Sequence, residues 1–288
     1  MRPSTVPATA APQPRRWPAP PFITASVALH AVAGGTALAV PGAWPWALAA
    51  VAANQAAITA AGLLPRAALL GPNVTRWPAA AARGALALTI DDGPDPEVTP
   101  RVLEALAALD VRATFFCVAE RAATHPRLVR EIVALGHSVQ NHSHGHRHHF
   151  ALLGPQGMRD EVARAQGVLG DLTGTAPHAF RAPAGLRNPF LDPALHALGL
   201  HLVSWTRRGY DTREADPAKV LARLARGLAA GDILLLHDGH ARRTARGMPV
   251  LLEVLPPLVQ QARAAGLRFE TLREALPPRD TSAGAMAR

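Results

Sequence analysis

Lysine is all but missing from this chain. Lys219 is the only one, so the formal net charge of +9 is carried by arginine in a background rich in alanine and proline. We read this as compositional bias rather than a nucleic-acid-binding surface, and expect no nucleic-acid partner. A net positive face still suits an anionic substrate or an acidic membrane surface. Cysteine is nearly absent as well: Cys117 is the sole one, which excludes an internal disulfide, and its place in Thr114-Phe115-Phe116-Cys117-Val118 marks it as a packed small hydrophobe. Internal repeats are also lacking. At 288 residues, 49% of them hydrophobic, the chain is long enough for one large α/β core and a smaller appendage.

Charge is absent altogether from Trp17 to Pro65. So long and apolar a stretch is unsuited to a solvent-facing arm, and it reads as membrane. It divides at Pro41-Gly42-Ala43-Trp44-Pro45-Trp46 into Phe22 to Val40 and Trp46 to Leu64, each long enough to cross a hydrocarbon core as a helix. Trp44 and Trp46 fall where interfacial tryptophans are enriched. Other readings are a signal-peptide core for the first segment, an interfacial or helix-packing element for the second, which contains Asn54 and Gln55, and a soluble appendage on the catalytic domain. Arg2, Arg15 and Arg16 precede the pair and Arg66 and Arg76 follow it. Two crossings therefore place both flanks in the cytoplasm; a single crossing places the rest of the chain outside. The expected location is the membrane, of the bacterial inner-membrane type, on a side that this weaker second helix decides.

After a linker at 66–81, short apolar runs alternate with helical periodicity. Strands are expected at Ala85–Ile90, Ala113–Val118, Ser138–Asn141, Ala179–Ala182, His201–Trp205, Ile233–Leu236 and Arg268–Leu272. Helices are expected between them, at Val98–Leu109, Leu128–Leu135, Gly157–Leu172, Pro193–Leu198, Pro217–Ala229 and Val250–Ala265. Alternation of this kind implies parallel strands joined by crossovers, in a barrel or doubly wound sheet. The arm at 1–21 and the tail at 277–288, rich in Pro and Ala, are expected to be disordered.

Four strand ends carry chemistry. Ile90-Asp91-Asp92-Gly93-Pro94 delivers adjacent carboxylates, whose side chains diverge on an extended strand; one can bind a cation while the other faces substrate as a base. The competing reading is ordinary turn chemistry. His142 and His146, in Asn141-His142-Ser143-His144-Gly145-His146, are four apart and would face one way on a helical turn, chelating one ion; His144, His148 and His149 crowd the same segment and leave the partners ambiguous by spacing alone. Two imidazoles and one carboxylate leave coordination positions open, which suits a catalytic metal. Arg181-Ala182-Pro183-Ala184-Gly185 offers a guanidinium able to pair with Asp91 and a turn able to aim a backbone N–H at an oxyanion, or merely ends a strand. His237, closing Ile233-Leu234-Leu235-Leu236, is suited to protonate a leaving amine, with Leu235 lining a slot for a small acyl group.

These motifs, in this order across Ala82 to Leu276, resemble the polysaccharide deacetylases, carbohydrate esterase family four. The resemblance implies a distorted seven-stranded (β/α) barrel, here preceded by the apolar helical hairpin at 22–65, with one divalent metal, commonly zinc. It implies Asp91 as base and Asp92, His142 and His146 as metal ligands in a His-Ser-x-x-His motif. It further implies Arg181 tethering the base, Pro183 and Gly185 shaping the third motif, and Asp211 orienting the acid His237. Trp205, Leu235, Pro183 and Tyr210 are the expected substrate contacts. Two positions depart from the pattern. The aromatic before Gly185 is Ala184, which keeps the backbone N–H, and the Trp after Asp211 is Thr212, which puts one wall of the acyl pocket in doubt.

The expected activity is metal-dependent hydrolysis of an N-acyl group, acetyl foremost, from an amino sugar in a polysaccharide or lipid-linked saccharide. Alternatives are a non-catalytic, membrane-anchored glycan-binding protein on the same barrel, and an amide hydrolase for a small non-sugar substrate.

Overall fold

The computed structural model describes residues 17–277 and Arg279. Most of the arm and tail expected to be disordered lies outside these residues. The last residues of the arm do not follow that expectation: Trp17 Nε1 donates to Asp192 Oδ2 at 2.7 Å, and helix α1 (Pro21–Ala39) begins inside the arm's span. Helix α2 (Trp44–Leu63) folds back on α1. Between them Ser26 Oγ donates to Asn54 Oδ1 at 3.1 Å, and Gln55 Nε2 lies 3.2 Å from His30 Nε2. Polar groups are thus spent on the seam, while Val27, Val32, Leu38, Trp46 and Leu48 stand exposed on the outside. Both helices are long and apolar enough to cross a membrane. The hairpin is rooted at Gly62, whose carbonyl accepts from Arg187 N–H at 3.1 Å; a Cβ there would lie 2.3 Å from the Arg187 carbonyl oxygen.

The catalytic domain follows as α3 (Ala79–Ala82), β1 (Ala85–Asp91), α4 (Thr99–Ala108), β2 (Thr114–Cys117), α5 (Ala119–Thr124), α6 (Pro126–Ala134) and β3 (Ser138–Asn141). It continues with α7 (Pro155–Thr173), β4 (Ala179–Phe180), α8 (Leu191–Ala197), β5 (His201–Leu202), β6 (Arg207–Arg208), α9 (Pro217–Ala225), β7 (Ile233–His237), α10 (Val250–Ala264), β8 (Arg268–Phe269) and α11 (Leu272–Ala275). Seven parallel strands run in the order β5-β4-β3-β2-β1-β7-β6, and β8 pairs with the first two residues of β1. This is the curled parallel α/β sheet that the alternating pattern implies. The strand β6 is not foreseen by the pattern, because two arginines carry no apolar signal.

Period-two alternation sorts β1 into two faces. Leu86, Leu88 and Ile90 join the core beneath the helices with Val102, Leu106, Val254 and Leu258, whereas Ala85 and Ala87 face the sheet's concave interior with Phe116 and Ile233. Full burial of each such leucine contributes roughly 1.5–3 kcal/mol. The same alternation carries Thr89 and Asp91 to the interior. On the neighbouring strand it carries Leu235 and His237 there, and the register sets Thr89 against Leu235 and Asp91 against His237. The acid and the imidazole are therefore neighbours at the carboxyl ends of adjacent strands, where barrel enzymes place their sites.

The segment expected to be a linker at 66–81 is built into the wall of this sheet. Val74 N–H donates to the Leu202 carbonyl and Ser204 N–H to the Val74 carbonyl, both at 2.9 Å. On its other side Trp77, 2% exposed, donates its backbone N–H to the Gly231 carbonyl at 2.8 Å. The segment's backbone hydrogen bonds go to β5 and to the approach to β7, where a free linker would give them to water.

Candidate active site

A cavity of about 190 Å³ opens at the carboxyl ends of the strands, lined by Asp91, Asp92, His142, His146, Ala184, Trp205, Leu235 and His237 among others. Asp91 points inward by strand alternation. Asp92 would point away, but its φ of +74° turns the chain so that its carboxylate also faces the cavity. Gly93 and Gly239 permit this turn: a Cβ on Gly93 would sit 2.4 Å from the Asp238 carboxylate, and one on Gly239 2.7 Å from Asp92 Cβ.

His142 and His146 are not on a helix. The expected i, i+4 face is replaced by a tight loop with two left-handed residues, Ser143 at φ +69° and His146 at φ +48°. Asn141 Oδ1 accepts from Ser143 N–H at 2.9 Å, Ser143 Oγ from His146 N–H at 3.0 Å, and Glu161 Oε1 from Gly145 N–H at 2.7 Å. The serine of the motif thus locks the loop. Of the other imidazoles in the tract, His144 turns to Glu120 at 3.2 Å and His148 and His149 are exposed.

The Nε2 atoms of His142 and His146 come within 3.2 and 3.1 Å of Asp92 Oδ1, and the three ligand atoms lie within 4.8 Å of one another. His142 Nδ1 is 2.9 Å from the Arg181 carbonyl oxygen. A carbonyl only accepts, so the ring proton sits on Nδ1 and the Nε2 lone pair is left for an ion. Burial works to raise the Asp92 pKa, yet the His142, His146 and His240 imidazoles gathered around the carboxylate outweigh it and hold the carboxyl well below the usual range. One carboxylate and two imidazoles with open space beside them fit a divalent ion of the zinc class. His240 was not foreseen. Its Nδ1 lies 3.3 Å from Asp92 Oδ2 and its Nε2 3.0 Å from Arg121, so it closes the other edge of the carboxylate.

Arg181, 1% exposed, lies behind the cavity rather than in it. Its Nη1 donates to Asp91 Oδ1 at 2.6 Å and to Thr89 Oγ1 at 2.8 Å. Nε and Nη2 donate to the Val203 and Ser204 carbonyls, and the guanidinium stacks 4.1 Å from the Phe116 ring centroid. Every nitrogen of this buried cation is engaged, which fixes the Asp91 carboxylate and keeps a counter-charge on it.

His237 Nδ1 is 2.8 Å from Asp211 Oδ1, and the His237 backbone N–H donates to Asp211 Oδ2 at 2.7 Å. Burial lowers the imidazole pKa, but the Asp211 charge and hydrogen bond, with Asp91 and Asp92 nearby, outweigh it, and the net shift is upward. Beneath this pair Asp238, hydrogen-bonded to Thr99 Oγ1, is pushed up to about 7, chiefly by burial.

Ala184 (φ +53°) lines the cavity, in a turn where Gly185 N–H donates to the Ala182 carbonyl and Leu186 N–H to the Pro183 carbonyl. Leu235, Trp205 and Thr212 line the cavity as well, Trp205 lying against Gly185. Two expected substrate contacts do not. Pro183 is buried in the turn that supports Ala184, and Tyr210, 48% exposed, is displaced by its φ of +61° into the neighbouring depression with Arg208 and Arg223.

A model of the family described as polysaccharide deacetylase matches residues 79–203. A peptidoglycan-N-acetylglucosamine deacetylase of Bacillus cereus is 30% identical over 193 residues, covering 66% of this chain and 87% of the relative. A chitooligosaccharide deacetylase of Bradyrhizobium sp. is 34% identical over 154 residues, 53% of this chain and 70% of the relative. Among solved structures, a family 4 carbohydrate esterase from Streptomyces lividans in complex with acetate superposes with a TM-score of 0.60 at 32% identity, covering 68% of this chain and 98% of that one. The hairpin lies ahead of the residues the family model matches. With these likenesses and the fold, the chain belongs to the polysaccharide deacetylase family, hydrolases that cleave a carbon–nitrogen bond other than a peptide bond.

Proposed function

We propose that this chain removes an N-acetyl group from an amino sugar of a polysaccharide or lipid-linked saccharide, anchored to a membrane by its helical hairpin. The observation that carries the reading is the placement of Asp91 and His237 side by side in register, facing the Asp92–His142–His146 cluster across one cavity. Asp92, His142 and His146 would hold the divalent ion, of the zinc class by donor type; when bound it activates water and polarises the amide carbonyl. Asp91 takes a proton from the attacking water, its carboxylate paired with and aimed by Arg181. As the water oxygen bonds to the carbonyl carbon, the Ala184 backbone N–H supports the oxygen that gains charge. His237, held protonated by Asp211, gives its proton to the amide nitrogen as the C–N bond breaks, releasing acetate and the free sugar amine. Trp205 and Leu235 flank the space for the acetyl methyl.

Acetate release from N-acetylglucosamine oligomers by metal-reconstituted protein, with metal content measured in parallel, tests this reading. Asp91→Asn and His237→Ala should each cost about a hundredfold or more in kcat. Full activity in either variant, or activity indifferent to chelation, would refute the assignment. Binding of the same oligomers without turnover would favour the glycan-binding alternative.

A further inference from the structure

Beside the catalytic cavity, and sharing Trp205 and Arg208 with it, lies a larger groove of about 860 Å³. Five arginines line it, Arg66, Arg207, Arg208, Arg223 and Arg226, and no Asp or Glu does. Two of the five are neutralised from behind, Arg207 by Asp232 at 2.6 Å and Arg223 by Glu214 at 3.2 Å. Among the described residues Arg66, Arg208 and Arg226 have no carboxylate within salt-bridge distance; Arg66 reaches only the Thr206 carbonyl, at 3.4 Å. The Arg208 guanidinium is held 5.2 Å from the Trp205 ring and 5.1 Å from the Tyr210 ring, with its Nε buried and without a partner. Like charges gathered in a concave site without counter-charge repel one another and concentrate an anion there. Planar guanidinium forks match phosphate oxygens best.

Position decides which anion. Through Arg208 and Trp205 the groove is continuous with the acyl cavity, so an anion bound there belongs to the same molecule as the scissile amide, close along its length. Leu64 and Pro65 also line the groove and directly follow α2, so a membrane-seated hairpin sets the groove at the level of the lipid headgroups. We infer that the physiological substrate is a lipid-linked amino sugar whose phosphate or diphosphate ester binds among Arg66, Arg208 and Arg226 while its N-acyl group enters the cavity. This inference rests on the deacetylase reading above.

The test uses the full chain in phosphatidylcholine nanodiscs, with three probes: N-acetylglucosaminyl diphosphate on a short polyprenyl chain, the uncharged N-acetylglucosaminide of the same alcohol, and inorganic diphosphate. The diphosphate glycolipid should show a kcat/KM at least tenfold above the uncharged one. Arg66→Gln with Arg226→Gln, both on the exposed rim, should bring that ratio near one. Inorganic diphosphate should inhibit wild type competitively and the double variant at least tenfold more weakly. Equal kcat/KM on the two lipids overturns the phosphate inference and leaves the deacetylase reading intact. Release of acetate from neither, nor from chito-oligomers, overturns the deacetylase reading itself. If the double substitution instead weakens binding to phosphatidylglycerol vesicles while the substrate ratio stays unchanged, the groove serves bulk anionic lipid and the inference fails.

Discussion

The Asp211–His237 pair makes the proposed acid open to a quantitative test. In Asp211→Asn the side chain keeps one acceptor for His237 Nδ1–H but loses its charge, and its amide now faces the His237 backbone N–H that Asp211 Oδ2 accepted at 2.7 Å. Burial alone lowers the imidazole pKa, and Asp211 is the largest influence opposing it. A hydrogen bond to a charged partner contributes about 1.5–3 kcal/mol, roughly a 10–100-fold change in an equilibrium constant, so the His237 pKa should fall once that charge is removed. An acid must hold its proton to act, so kcat/KM declines as pH rises through the His237 pKa of the free enzyme. The alkaline limb of the profile should therefore move toward acid in the variant, with activity on N-acetylglucosamine oligomers down roughly 10–100-fold above both limbs. The acid limb, set by other groups, and metal content should stay in place. An alkaline limb that does not move, in a folded variant with its metal, would refute the role given to this pair.

Replacing Arg181 with Met removes every contact of a buried cation and leaves the buried Asp91 side chain without its partner, and urea denaturation should show a loss of about 3–5 kcal/mol. Gly93→Ala forces a methyl to 2.4 Å from the Asp238 carboxylate, and it should lower both thermal stability and metal occupancy, read by calorimetry and elemental analysis. His137 accepts the Ala113 N–H on Nδ1 at 3.1 Å and must be neutral in the fold; burial, then the Arg112 charge, lowers its pKa to about 4. Its folded pKa lies below the unfolded value, so the folded state binds fewer protons between the two, and stability is lost as pH falls from about 6.5 toward 4. Allowing for partial solvation, the loss is about 1–2 kcal/mol between pH 7 and 4.5. In His137→Asn, whose Oδ1 replaces the acceptor, denaturation midpoints should show that much less acid sensitivity; an unchanged pH dependence would refute the assignment.

The deacetylase site was legible because its parts sit at the ends of apolar strands. Once Leu86, Leu88 and Ile90 are assigned to the helix-covered face, Asp91 has to face inward, and Leu234 with Leu236 forces the same on His237. Asp92 and the His142–His146 loop depend on left-handed residues, which follow from close packing against Gly239 and from the Asn141 and Ser143 side chains rather than from any periodicity. That is why a helical turn was expected where a loop is found. His240 and Arg208 escaped for a related reason: each reaches the cavity from a segment that alternation does not describe. His240, itself at φ +63°, follows Gly239, and Arg208 lies on a two-residue strand of arginines held in place by its neighbour Leu235. Tyr210, expected as a substrate contact, faces the neighbouring groove, its backbone left-handed.

The strip of chain around Val74 to Trp77 is a plank in the barrel's staves, although it precedes the region by which the family is recognised. A soluble version of this enzyme cut at Ala79, where the family match begins, would remove that plank, leave Val203 and Gly231 without their partners, and open the sheet to water. Apolar hairpin and catalytic body are therefore stitched into one another, and any shortened form that keeps its activity has to retain the chain from Pro65 onward, whose carbonyl oxygen accepts the Ser204 hydroxyl at 2.6 Å.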